Sequence, residues 1–229
     1  MVVRKHSQDS ISQEVCDFVA LAADVAIRER GRFVCCLSGG SLPKLLTPLS
    51  KMECDFDRWH VFYADERCVA LDHQDSNHRA CNEAFLSETS IPQTQIYCIN
   101  AHVEPAQAAL EYQESLRALF PETQLPQLDV ALLGMGPDGH TASLFPNHPL
   151  VQYAGPDWVV PIEDSPKPPA CRITLTLPVL CAAANVVFVA TGSAKAELIP
   201  RVVADPDPLL PCSLVRPISG SLLWFVDDA

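Results

Sequence analysis

Residues 134–146 place a histidine, His140, in a glycine-rich turn directly after the apolar run Asp129 to Leu133. An imidazole changes charge near neutral pH and is suited to acid–base work there. Gly134, Gly136 and Gly139 let backbone approach a small ligand closely. They also match the G-x-G-x-x-G dinucleotide pattern, but the context disagrees. That pattern needs its third glycine to open a long helix whose N-terminus holds a pyrophosphate. Pro146 follows Gly139 too soon for more than about two helical turns. Pro137 removes one amide donor from the loop. A catalytic turn with His140 as base fits better than a nucleotide site.

Two further segments follow expected strands. Ser38-Gly39-Gly40-Ser41 runs from a strand towards a helix, and its amides and hydroxyls suit a phosphate. Asp65-Glu66-Arg67 puts three charges after an apolar strand, where an arginine can meet a carboxylate, a phosphate or an oxyanion; a solvated, salt-bridged turn is the plain alternative. Lys195, near a helix start after the run Val186 to Ala190, and Arg172, after a proline-rich loop, are candidate phosphate cations or ordinary surface charges. Asp72 to His78 carries metal-competent side chains at a spacing that matches no metal motif. There is no G-x-S-x-G nucleophile elbow.

The elements that must position these residues follow from periodicity. Ile11, Val15, Phe18, Val19, Ala22, Ala23 and Ala26 recur at helical spacing, with Ser10 or Ser12 as cap and Gly31 at the end. Phe33 to Leu37, Trp59 to Ala64, Gln95 to Ile99 and Asp129 to Leu133 read as strands, as do Trp158 to Val160, Arg172 to Leu177, Val186 to Ala190 and Leu222 to Val226. Helices are expected over Asn77 to Leu86, Pro105 to Phe120, Pro178 to Ala184 and Ala194 to Val203. Near-continuous apolar strands alternating with helices indicate an α/β fold, a mostly parallel sheet with helices on both faces. In such sheets ligands sit beyond the carboxyl ends of the strands, where segments 38–41, 65–67 and 134–141 all fall. Ser165 to Pro169 looks like a domain boundary, but strand material follows it, so it reads as a stiff loop and residues 1–229 are expected to form a single domain.

The chain has 229 residues, 48% of them hydrophobic, which is ample for a core. A formal net charge of −12 argues against nucleic acid or an anionic membrane as partner. It leaves room for an anionic small molecule held by local cations. The ten cysteines form no C-x-x-C and no zinc spacing, and the N-terminus lacks an apolar signal region. The longest apolar stretch, around Val179 to Ala190, is too short to span a bilayer. A cytoplasmic location with reduced thiols is expected, and no obligate protein partner is evident.

Taken jointly, residues 37–41, 65–67, 71–73, 133–146, 164–169, 172–178 and 191–196 resemble the 6-phosphogluconolactonase family, grouped with the glucosamine-6-phosphate deaminases. The motifs stand in family order over nearly the whole chain. The resemblance implies a Rossmann-like α/β fold that binds no nucleotide, and a reaction without cofactor or metal. The implied substrate is the sugar-phosphate lactone 6-phospho-D-glucono-1,5-lactone, hydrolysed to 6-phosphogluconate. His140 would be the general base, with Asp138 or Asp65 orienting its ring. Arg67 would stabilise the carbonyl oxyanion or contact the phosphate, which Gly39, Gly40, Ser41, Lys195 and Arg172 would hold. A deaminase needs a further carboxylate after the histidine, and Thr141 to Pro146 has none. A non-catalytic sugar-phosphate sensor is the rival of another class; no basic DNA-binding segment precedes the domain.

Overall fold

Helix α1 (Ile11–Arg30) buries Ile11, Val15, Cys16, Val19, Ala23 and Ala26, the apolar stripe expected of an amphipathic helix. Gly31 ends it in the left-handed conformation at φ 73°, where a side chain would be strained. Ser10 occupies the cap position without a side-chain cap bond, and the Ser12 hydroxyl instead donates to the Leu45 carbonyl at 2.6 Å. The computed structural model describes residues 1–7, 9–204 and 207–227.

Six strands form one wholly parallel sheet: β1 (Val2–His6), β2 (Phe33–Leu37), β3 (Trp59–Tyr63), β5 (Val130–Gly134), β8 (Asn185–Ala190) and β9 (Ser221–Asp227), in the order β1-β9-β8-β5-β2-β3. Three short strands, β4 (Asp65–Arg67), β6 (Val159–Ile162) and β7 (Arg172–Leu175), make an antiparallel sheet in the order β4-β7-β6. The remaining helices are α2 (Leu42–Leu45), α3 (Asn77–Ala84), α4 (Pro105–Leu119), α5 (Leu177–Ala182), α6 (Ser193–Ala196), α7 (Ile199–Val203) and α8 (Pro211–Leu214).

Both faces of the large sheet are covered. Cys35, Leu37, Leu132 and Val187 pack with the buried side chains of α1 and with Cys81 of α3. Their strand neighbours Val34, Cys36, Ala131, Leu133, Val186 and Phe188 pack against α4, α5 and the small sheet. Burial on two faces is why these strands read as continuous apolar runs. From β2 the chain moves outward to β3, whereas β5, β8 and β9 build in the other direction. β2 and β5 therefore flank the switch point, and the loops leaving them border a crevice.

Four expectations change. Residues 65–67 are not a loop: they form β4, with Asp65 and Glu66 buried. Gln95 to Ile99 is not a strand but a single turn of 3-10 helix, Gln93–Gln95, followed by one bridge between Ile96 and Val61. The helix expected over Ala194 to Val203 is two pieces, because Pro200 has no N–H to continue the ladder. The N-terminal strand β1 was not anticipated: it lies at the sheet edge with most of its residues exposed, so it carries no buried-strand signature.

Candidate active site

The loops after β2 and β5 meet β4, β7 and α6 around a cleft of about 220 Å³. Gly39, Gly40, Ser41, Asp65, Arg67, His140, Arg172 and Lys195 all line it. One crevice thus gathers the residues singled out from the sequence, except Asp138, which stands behind His140.

The turn after β5 closes through Gly136 N–H to the His140 carbonyl at 2.9 Å and Gly139 N–H to the Gly136 carbonyl at 3.0 Å. No helix opens at Gly139. A Cβ on Gly136 would lie 2.0 Å from His140 Nδ1, so only glycine leaves the ring its place. His140 Nδ1 sits 2.5 Å from Asp138 Oδ1 and 3.0 Å from the Lys167 ammonium. Nδ1 cannot donate to one and accept from the other at once. The closer partner is an acceptor-only carboxylate, which assigns the ring proton to Nδ1 and leaves the Nε2 lone pair free. Burial holds the His140 pKa below its ordinary value; Asp138 and Asp65 oppose this and Lys167 adds to it. Asp138 is held down to about 2 against its own partial burial, by His140 and Lys167.

Asp65 is otherwise engaged. Its carboxylate accepts from Ser143 Oγ at 2.7 Å and Asn77 Nδ2 at 3.3 Å, and lies 3.8 Å from Arg172 Nη1. Arg172 is buried and directs most of its donors at its own loop: Nε to the Pro169 carbonyl at 3.0 Å, and Nη2 to the carbonyls of Lys167 at 2.9 Å and Pro168 at 3.2 Å, while Nη1 donates to Ser143 Oγ at 3.4 Å. The loop carrying Lys167 is therefore pinned from below by a cleft-lining arginine. Burial lowers the Arg172 pKa, with Asp65 opposing.

Arg67 is anchored through Nη1 to the Asp75 carbonyl at 2.6 Å, and its buried Nε has no partner among the described residues. Ser38 Oγ, also in the cleft wall, is buried without a partner too. Two cleft-lining residues thus each carry a buried polar atom without a partner among the described residues, an uncommon cost in a folded chain. Lys195 is half-buried, which lowers its pKa, with Asp227 opposing. The Glu66 carboxylate, fully buried, accepts from the backbone of Arg67, Asn77 and His78, each at 2.8 Å. It ties β4 to the start of α3, where Ser76 caps the helix through Arg79 N–H. A Cβ on Gly39 would lie 1.8 Å from Asn77 Oδ1, so the 38–41 turn packs directly on that junction.

Sequence reasoning gave no individual role to Lys167, Glu66, Asn77 or Ser143, although Glu66, Ser143 and Lys167 lie in segments it singled out. Lys167 carried one signal, as the lone cation within a stiff proline-rich loop. Among the described residues no group of three or more metal-competent side chains is assembled, the Asp72 to His78 segment included.

A family model described as glucosamine-6-phosphate isomerases/6-phosphogluconolactonase matches residues 6–224. The chain belongs to this family. It is 42% identical to probable 6-phosphogluconolactonase 1 of Arabidopsis thaliana, over 98% of this chain and 90% of that one. It is 44% identical to 6-phosphogluconolactonase of Rattus norvegicus, over 91% and 83%. The solved 6-phosphogluconolactonase of Thermotoga maritima superposes with a TM-score of 0.87 at 28% identity, covering 99% of both chains. In this member of the glucosamine-6-phosphate isomerase/6-phosphogluconolactonase family, no helix among the described residues is long and apolar enough to cross a membrane.

Proposed function

We propose that the chain hydrolyses 6-phospho-D-glucono-1,5-lactone to 6-phospho-D-gluconate, the second step of the oxidative pentose phosphate pathway. The observation that carries this reading is the Asp138–His140 pair, 2.5 Å apart, beside a cleft lined by Arg67, Arg172 and Lys195 in a chain whose relatives are named 6-phosphogluconolactonase. The substrate is a small anion with one electrophilic carbonyl. The backbone of Gly39, Gly40 and Ser41 and the Lys195 ammonium take the phosphate. Arg67, held by the Asp75 carbonyl, offers its guanidinium to the carbonyl oxygen as negative charge develops.

Water attacks the carbonyl carbon while His140 Nε2 accepts a water proton. Asp138 keeps the Nδ1 proton in place and stabilises the imidazolium. The tetrahedral intermediate then collapses, the ring C–O bond breaks, and the imidazolium returns the proton to the departing ring oxygen. A lactone is already an activated ester, so one base and one electrophilic group suffice without a covalent intermediate. Phosphate binding holds the carbonyl in register with His140. Arg172 supports the reaction by fixing the Lys167 loop. An acidic chain and free thiols fit a small-molecule substrate in a reducing cytosol, turned over by a single domain without a partner.

The test is hydrolysis of freshly generated 6-phosphogluconolactone, corrected for spontaneous opening, by wild type and a folded His140→Ala variant. Acceleration by wild type that His140→Ala loses supports the reading. A folded wild type that gives no acceleration overturns it.

A further inference from the structure

The strands that carry two of the cleft arginines end in a matched pair of thiols. β4 and β7 run antiparallel with Asp65 opposite Thr174, Glu66 opposite Ile173 and Arg67 opposite Arg172. The next step in that register sets Cys68 opposite Cys171, and Cys68 N–H donates to the Cys171 carbonyl at 3.0 Å. Both thiols are free and half-buried. Cys35 and Cys36, by contrast, are adjacent on β2, face opposite sides of the sheet and are buried.

We propose that Cys68 and Cys171 are a redox modification site, forming a reversible disulfide that ties β4 to β7 and shifts Arg67 and Arg172 in the cleft. Directly opposed residues of a hydrogen-bonded antiparallel pair have Cα atoms about 5.5 Å apart, within the span a disulfide bridges. In such a pair the Cβ atoms stand about 5.5 Å apart, against about 3.8 Å in a disulfide. The bond therefore forms without unfolding but draws the strand ends together by about 1–2 Å. Strained, accessible disulfides are the readily reduced ones. The residues next along each strand are Arg67, anchored to Asp75, and Arg172, which pins the Lys167 loop. A displacement of about 1 Å at such positions costs up to about a hundredfold in rate.

A low-molecular-weight disulfide, glutathione disulfide, is a sufficient oxidant. Burial, with Cys171, Glu66 and Glu163 adding, pushes the Cys68 thiol up to about 11. One of the two thiols gives its proton to solvent and bonds to one glutathione sulfur, and the other glutathione leaves as thiolate. The second thiol then gives its proton to solvent and attacks the sulfur of the mixed disulfide that belongs to the protein, releasing the second glutathione. Two protein thiols are oxidised and one glutathione disulfide is reduced to two glutathiones. Excess dithiothreitol reverses the sequence.

The experiment treats the reduced, full-length protein with glutathione disulfide. It reads intact mass, a non-reducing peptide map and hydrolysis of 6-phosphogluconolactone, with Cys171→Ser alongside. Only the hydrolysis readout rests on the lactonase reading; mass and mapping test the site even if that reading fails. The expected result is loss of the mass of two hydrogens, a Cys68–Cys171 peptide, a fall in kcat/KM of about tenfold or more restored by dithiothreitol, and a Cys171→Ser variant that keeps its activity throughout. Absence of that peptide from folded, oxidised protein overturns the proposal. So does a cross-linked enzyme of unchanged activity, or an activity loss that persists in Cys171→Ser.

Discussion

The Asp138 carboxylate and the Lys167 ammonium meet at 3.0 Å beside the Nδ1 edge of His140. They act on the imidazole in opposite senses. Asp138 favours its charged form and Lys167 disfavours it, while burial, the largest influence, leaves the His140 pKa below its ordinary value. Asp65 adds to the pull of Asp138, and the cations Arg67, Arg172 and Lys195 share the same cleft. A base must be neutral to act, so a lowered pKa keeps His140 competent through the neutral range.

The acid limb of kcat/KM is therefore expected below the ordinary imidazole pKa of about 6.5. Lys167→Met removes a charge that lowers the pKa, so the limb moves to higher pH, and Lys167→Arg restores it. Rates measured from pH 5 to 8, corrected for spontaneous opening, decide this. A limb that stays put or moves down in Lys167→Met would remove Lys167 from the base's environment.

Asp138→Asn keeps the side-chain shape but offers Nδ1 either a poorer acceptor or an amide donor. The donor favours the tautomer with its proton on Nε2, which cannot take a proton from water. The rate constant kcat is expected to fall by on the order of 10²–10⁴, with circular dichroism near wild type and a thermal midpoint at neutral pH lowered only by the modest amount that a partly exposed carboxylate contributes. A variant within threefold of wild type, about 0.6 kcal/mol, would count against an orienting role.

The parts of this site that were legible in the sequence are those built locally. Asp138 and His140 are two positions apart in one turn, and glycine at 136 marks where the ring needs space. The central strands were legible because burial on both faces makes them apolar throughout. Lys167 was not, since it reaches His140 across 27 residues through the fold of the small sheet. Glu66 was not either: a charged triplet after an apolar strand reads alike whether it meets water or enters a second sheet. In the structure its carboxylate is spent on three backbone N–H groups. The choice between Asp138 and Asp65 as the ring's partner likewise needed coordinates, because Asp65 is drawn away to Ser143 on the same turn.

Gly136→Ala tests the space behind the ring. Its Cβ would overlap His140 Nδ1 and approach Asp138 Oδ1 to 2.7 Å. The side chains must move, since Gly136 N–H is fixed to the His140 carbonyl. Activity is expected to fall at least about tenfold, with a smaller proportional effect on the thermal midpoint. Full activity would mean that the 2.5 Å contact is dispensable.

Asp138 also couples stability to acid. Its folded pKa of about 2 lies below the unfolded value of about 3.9, so its contribution is present above that value and is lost as pH falls through about 2. Asp138→Asn should therefore lose stability less steeply than wild type between about pH 4 and 2. Parallel denaturation curves for the two proteins in that window would contradict it.

Arg172 separates two roles that its position allows. A phosphate contact would make Arg172→Met raise KM and leave the pH profile alone. The donors observed instead go to the carbonyls of Lys167, Pro168 and Pro169 and to Ser143 Oγ, with Asp65 close by. Removing a buried cation from beside a buried carboxylate costs about 3–5 kcal/mol, or a thermal midpoint lower by about 6–20 °C in a chain of this size. The loop it pins would also release Lys167, so the acid limb should rise as it does in Lys167→Met. Arg172→Lys, with one ammonium in place of a planar fork, cannot serve three carbonyls and is expected to restore only part of either effect. A raised KM with stability and pH limb intact would return Arg172 to the phosphate.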